Sequence, residues 1–153
     1  MHAGGASFIG SESYNHAGTG LGPDGNNIVV RNSYIHDNAV QGIYISGGDD
    51  WLIENKVFYN NDRYEIYNFG GKRQRISNNT IVAGPRNDFA TPGEISAGIY
   101  LDSASQGSIH EYNIIDGFRL AWQISRRLPS RISSGTISFR ATPGLRRLSE
   151  SSA

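Results

Sequence analysis

The segment Val30-Arg31-Asn32-Ser33-Tyr34-Ile35 returns 23 residues later as Ile53-Glu54-Asn55-Lys56-Val57-Phe58, and after the same step again as Ile76-Ser77-Asn78-Asn79-Thr80-Ile81. A second unit keeps that step, Gly42-Ile43-Tyr44-Ile45 becoming Glu65-Ile66-Tyr67-Asn68. Both units come back after one longer step of 33, as Gly98-Ile99-Tyr100-Leu101 and Ile109-His110-Glu111-Tyr112-Asn113-Ile114. A fixed period of this size marks a chain whose units cannot bury their apolar faces alone and must stack, which is a solenoid.

The local pattern selects the kind of solenoid. The repeated pieces are short, β-branched and aromatic, and alternate apolar with polar residues, which reads as strand. Turn residues separate them: Gly22-Pro23-Asp24-Gly25, Gly47-Gly48-Asp49-Asp50, Asn60-Asn61-Asp62 and Gly70-Gly71. No long apolar stripe of helical period is present, so helical repeats fit poorly. Two or three short strands per 23 residues fit one coil of a parallel β-helix, with coils stacked at roughly the 4.8 Å strand spacing.

From Asn26 to Phe118 the Ile-x-Asn-x-x-Ile and Gly-Ile-Tyr-Ile patterns, at this step, resemble the right-handed parallel β-helix repeats of the pectate-lyase-like superfamily. The resemblance implies an all-β, right-handed solenoid of about five coils and an extracellular or periplasmic setting. It leaves activity open, because that superfamily spans polysaccharide lyases, glycoside hydrolases, epimerases, tailspikes, adhesins and copper-maturation proteins. Residues 1–25 read as a partial first coil or irregular segment, and 26–141 as the repeats.

Charge divides the chain. Residues 1–118 carry 7 Lys and Arg against 13 Asp and Glu, whereas residues 119–153 carry 7 Arg and the single acid Glu150. This shift has three readings: a basic cap, a chain cut or read out of frame near Arg119, or chance. Residues 119–141 are expected to form a degraded last coil, with Ile132 and Ile137 still in step, and 142–153 a disordered tail. The Arg residues are not read as a nucleic-acid site. Cysteine is absent, so disulfides and thiolate metal sites are excluded. No apolar stretch is long enough to span a membrane, and Met1-His2-Ala3-Gly4-Gly5 lacks the pattern of a secretory signal. The ends look uncapped, as in a fragment of a longer protein.

Superposing the coils gives columns. Val30, Ile53, Ile76 and Ile109 are expected inside, with Ile35, Phe58, Ile81 and Ile114 in a second column and Ile43, Ile66, Ile99 and Trp122 in a third. Asn32, Asn55 and Asn78 form a column at a bend, expected to bond amide to amide until Glu111 breaks the pattern. Asp49 and Asp50 fall beneath Lys72 and Arg73, and Arg31 beneath Glu54, which reads as ion pairing between coils. Gly47-Gly48-Asp49-Asp50 resembles the paired-Asp motif of polygalacturonases, but the companion motifs of that family are missing. The histidines His2, His16, His36 and His110 show no metal-ligand spacing. His36 shares an outward column with Tyr59, Val82 and Ile115.

One surface carries chemistry. With Ile43 and Ile45 inside, alternation puts Tyr44 outside, with Glu65, Tyr67 and Phe69 and then Tyr100 and Asp102 on the neighbouring coils. Such a Tyr ladder suits sugar rings, or it simply covers the sheet. Residues 84–96 are inserted beside this face, and long loops on rigid repeats often carry function. Arg86, Glu65, Asp102 and Glu94 are the candidate reactive groups, and Tyr44, Tyr67, Phe69, Tyr100 and Asp88 the candidate substrate contacts. A lyase needs a base and a neutraliser of the substrate carboxylate, for which Arg86 is suited. A hydrolase needs two carboxylates, which Glu65 with Asp102 or Glu94 would supply. The acidic body disfavours anionic glycans unless Ca²⁺ bridges them. The expectation is polysaccharide recognition, extending to degradation or epimerisation, with a non-catalytic adhesin or structural module as the rival.

Overall fold

The computed structural model describes residues 5–89, 96–102 and 105–124, which build a parallel β-solenoid of five stacked coils. The first coil holds β1 (Ser7–Ile9) and β2 (Glu12–Tyr14), and Leu21 forms a lone bridge to Ile43 where a third strand would lie. The second holds β3 (Val29–Arg31), β4 (Tyr34–His36) and β5 (Gln41–Ser46). The third holds β6 (Leu52–Glu54), β7 (Val57–Tyr59) and β8 (Tyr64–Phe69), and the fourth β9 (Arg75–Ser77), β10 (Thr80–Val82) and β11 (Ala97–Leu101). The fifth holds β12 (Ile109–Glu111), β13 (Ile114–Asp116) and β14 (Leu120–Ile124).

Equivalent strands pair in parallel, giving sheet A (β1-β3-β6-β9-β12), sheet B (β2-β4-β7-β10-β13) and sheet C (β5-β8-β11-β14). The expected degraded coil beyond Ile124 and the tail at 142–153 lie outside the described residues. Each coil must turn sharply between sheets, and it does so with residues in the left-handed region. Asn32, Asn55, Asn78 and Tyr112 form one such column, at φ of 51 to 55°, between sheets A and B. Asn15, Asp37 and Asn60 form another where the chain leaves sheet B. Asn and Asp tolerate this conformation best among residues with a side chain, because their short polar groups bond locally.

The interior is a stack of apolar columns. Val30, Ile53 and Ile76 in sheet A, Ile35, Phe58 and Ile81 in sheet B, and Ile43, Ile66 and Ile99 in sheet C are all fully buried. Each such side chain contributes roughly 1.5–3 kcal/mol by leaving water. In the fifth coil the expected columns shift. Ile99 does follow Ile66 at a step of 33, but Ile76 pairs with His110 and Ile81 with Ile115, one residue further on. Ile109 and Ile114 therefore point outward, at 41% and 51% exposure. The extra residue lies between β11 and β12, where the chain takes one position more than in the other coils.

The Asn column also differs from expectation. Asn32, Asn55 and Asn78 are exposed, and their shared property is backbone conformation. The buried amides sit one residue later. The Asn79 side chain accepts from the Lys56 amide at 3.1 Å and donates to Asn113 at 2.9 Å, while Asn113 donates to the Ile76 carbonyl at 2.8 Å. A second buried pair, Asn38 and Asn61, bonds at 2.8 Å at the corner between sheets B and C. Buried polar groups are satisfied in this way, coil to coil. Of the expected ion pairs, Arg73 reaches Asp50 at 2.6 Å and also Asp49 at 3.2 Å, and Arg31 meets Glu54 at 2.7 Å, while Lys72 meets Asp49 through its backbone amide at 3.1 Å.

Candidate functional site

Sheet C presents the Tyr face. Parallel register stacks Tyr44 on Tyr67, Tyr67 on Tyr100 and Tyr100 on Gln123. The rings touch: Tyr44–Tyr67 centroids are 5.3 Å apart, Tyr67–Tyr100 4.9 Å and Tyr67–Phe69 6.0 Å. Tyr64, which sequence reasoning missed, joins the same cluster, 4.8 Å from Tyr100 and 5.4 Å from Tyr67. The tyrosines are half-buried by one another, and Phe69 stands at the edge, 46% exposed. Interplanar angles from 28° to 83° make this a ribbed surface rather than a flat one.

Tyr67, at the centre of the face, holds its proton. Burial among the neighbouring rings pushes the Tyr67 phenol up to about 12, with Tyr100 and Asp102 adding to the effect. At neutral pH Tyr67 is therefore a hydrogen-bond donor and acceptor and has no role as a base. Asp102 follows β11, with its amide bonded to the Asn68 carbonyl at 2.9 Å, and it lies at the Phe69 end of the cluster.

Glu65 is a correction. Alternation from Ile66 places it outside, but the side chain is fully buried. β8 enters sheet C from a corner, so the ladder passes from Gln41↔Tyr64 to Ile43↔Ile66, and Tyr64 takes the outward position. Glu65 turns inward between Gly42 and Gly98. These glycines are required: a Cβ on Gly42 would come within 2.6 Å of the Glu65 carbonyl oxygen, and one on Gly98 within 2.5 Å of Ile115 Cγ2. The Asn61 amide donates to Glu65 Oε1 at 3.1 Å, and its side chain donates to Oε2. Burial pushes the Glu65 carboxyl up to about 8, so it stays protonated at neutral pH behind the sheet.

The other candidates are spread out. Arg86 lies in a short 3-10 helix (Pro85–Phe89) at the corner between sheets B and C, where its amide donates to Asn60 Oδ1 at 2.7 Å. It is exposed and sits beside Asp37, whose carboxyl it helps to hold low after His36 and Asn60. Asp88 is in the same turn, but its side chain, like the whole of Glu94, lies outside the described residues. Glu65 is level with Gly98, four residues before Asp102, or roughly 13 Å along the strand. That exceeds the roughly 5–9.5 Å between carboxyls that flank a glycosidic bond. Glu65 and Asp102 thus do not form a hydrolytic pair. Among the described residues no three His, Asp or Glu side chains converge as metal ligands.

The histidine reading changes too. His36 bonds Asp37 at 2.6 Å and Glu12 at 3.0 Å, a pairing between coils that linear spacing does not show. Its column continues to Tyr59, Val82 and Asp116, not Ile115. No membrane-crossing helix occurs among the described residues.

A parallel solenoid with an aromatic outer face defines the class. The chain belongs to the right-handed β-helix region family, which it matches over residues 2–145. No curated protein and no solved structure shows significant similarity to it.

Proposed function

We propose that the sheet C face is a non-catalytic carbohydrate-binding surface for a neutral polysaccharide. The observation that carries this is the contiguous cluster of Tyr44, Tyr64, Tyr67, Tyr100 and exposed Phe69, with Asp102 at its edge. Aromatic rings offer apolar area to sugar C–H faces, and phenol hydroxyls beside Asp102 offer partners to sugar hydroxyls. Binding without bond cleavage is supported by the burial of Glu65 and by the placement of Arg86 at a different corner. A neutral ligand is supported by the acidic body, which repels polyuronates. For such a ligand the setting we propose is extracellular or periplasmic.

Titration calorimetry and affinity electrophoresis against neutral and uronate polymers, the latter with and without Ca²⁺, test this. Neutral polymers are expected to bind, and Tyr67→Ala to weaken binding tenfold or more, about 1.4 kcal/mol. Trp51 makes a poor reporter, since it is buried and donates its indole N–H to the Gly25 carbonyl. Unchanged binding by Tyr67→Ala, or new reducing ends or unsaturated uronates on incubation, would overturn the proposal. The edge-on packing of Tyr67 against Tyr100 favours a second reading, in which the ladder only covers the sheet. Tyr67→Ala would then lower stability and leave no ligand to lose.

A further inference from the structure

We propose that His36 is a pH-operated latch that closes the first coil onto the second. Its two ring nitrogens face two carboxylates on different coils: Nδ1 meets Asp37 Oδ2 at 2.6 Å, and Nε2 meets Glu12 Oε1 of β2 at 3.0 Å. An imidazolium donates from both nitrogens and satisfies both contacts. Neutral imidazole has one N–H, so its other nitrogen turns a lone pair toward a carboxylate. One contact must then fail. Asp37 is also held by the Asn60 side chain within the next coil, so the contact released is Glu12, the one that ties down the first coil.

The surroundings favour this switch. The imidazole is mostly covered, stacked on Tyr34 at 3.9 Å and on Tyr14 at 5.1 Å with planes 4° apart in the second case. The groups facing it are Glu12 and Tyr14 from β2, Tyr34 and Asp37 from β4 and its turn, and Tyr59 from β7. Arg86 acts at one remove, through Asp37. Burial alone would lower the imidazole's proton affinity, but the hydrogen bonds to Asp37 and Glu12 outweigh it and raise the value above 6.5. A raised value in the folded state means that the latch is fully closed below about pH 6.5 and is lost as pH rises through the folded value. Among the described residues β2 pairs on one side only, with β4, so nothing else in sheet B holds it.

Amide hydrogen exchange by NMR reads the latch directly. The Tyr34, Ala39 and Val40 amides donate to Ser11, His16 and Gly18 of the first coil, while those of Val57, Asp62 and Arg63 donate to Ser33, Asn38 and Val40 of the second. Protection of the first set, corrected for intrinsic exchange, should fall by about tenfold or more through the His36 titration. The second set should hold. His36→Gln should remove the pH dependence. Glu12→Gln, which keeps the imidazole and its ring stack, should flatten it if the first variant does not fold. A Glu65→Gln background removes the other group that titrates near this corner. Equal loss at both sets, no loss at either, or an unchanged profile in either variant would overturn the latch.

Discussion

The second to fourth coils and the fifth share a backbone but differ in what they place inside and at their bends. In the regular coils the polar residues that enter the core are mostly met by the coil next to them, Lys56 and Ser77 being exceptions. Gln74, which takes the position of Trp51, accepts from the Trp51 amide at 3.2 Å and donates to the Gly48 carbonyl at 2.6 Å. In the fifth coil this column and the Ile76 column carry Ser108 and His110, buried at 3% and 2% exposure. The Ser108 hydroxyl and both His110 ring nitrogens have no hydrogen-bond partner among the described residues. At the bend the left-handed position passes from Asn78 to Tyr112. A solenoid can thus keep its register while its local stability declines, because the backbone ladder repeats whatever the side chains do.

The largest expected effect tests the partnered side. The native Glu65 carboxyl titrates at about 8 against an ordinary 4.5, so the folded chain keeps a proton that the unfolded chain loses between those values. Stability from this group is greatest below pH 4.5 and falls until about pH 8, by on the order of 5 kcal/mol. Chemical denaturation from pH 6.5 to 8, above the range in which His110 offsets it, should show the decline, and Glu65→Gln should remove most of it, leaving the smaller fall that belongs to His36. A wild-type curve that rises from pH 6.5 to 8 would break the assignment.

His110 tests the unpartnered side, with the opposite sign. Burial depresses its imidazole to about 4 from 6.5, so the unfolded chain binds the extra proton. Its contribution is present above pH 6.5 and is lost as pH falls to about 4, by about 3 kcal/mol. Between pH 4.5 and 6.5 the two groups oppose each other, and wild type should be nearly flat. Glu65→Gln should uncover a curve rising with pH, and His110→Leu a falling one. If both single variants remain flat, neither group titrates as its burial requires.

These contrasts show how far sequence carries. Period, strand pattern and the apolar columns of the regular coils were legible, because Ile and Val recur at one spacing and burial selects them. The fifth coil was not. Ile109 and Ile114 continue an apolar pattern at step 33, yet the structure buries His110 and Ile115, since the turn after β11 takes one residue more. A one-residue shift moves every side chain to the other face, and only the length of that turn decides it. The Tyr face was legible for Tyr44, Tyr67 and Tyr100 because Ile43, Ile66 and Ile99 fix their alternation. Alternation fails at the corner, so it hides Tyr64 from the face and puts Glu65 on it.

Lys56 gives a smaller test within the regular coils. It stands in the column of Ser33, Asn79 and Asn113, where an amide would continue the ladder. Its side chain is 1% exposed, and Nζ has no hydrogen-bond partner among the described residues, lying 6.0 Å from the centre of the Phe8 ring. Burial lowers the amine to about 8 from 10.5, so stability should rise as pH goes from 8 to 10.5. The first coil is a thin cover against solvent, so Lys56→Met should gain only about 1 kcal/mol at pH 7. A loss of stability in that variant would show that the ammonium is satisfied in solution.

The smallest effect isolates the bend from the interior. Tyr112 occupies the left-handed region at φ 55° and is 57% exposed, so its ring packs little, whereas Asn55 meets the same demand at φ 53°. Asn pays less strain there than Tyr, because its short amide bonds locally and its Cβ substituents are fewer. Exchanging the residues between coils separates conformation from packing. Tyr112→Asn should raise stability by about 0.5–1 kcal/mol, and Asn55→Tyr should lower it by a similar amount. Equal and opposite shifts would assign the difference at this bend to backbone conformation. A Tyr112→Asn variant less stable than wild type would instead mean that the ring itself supports the fifth coil, and the decline along the solenoid would then be confined to Ser108 and His110.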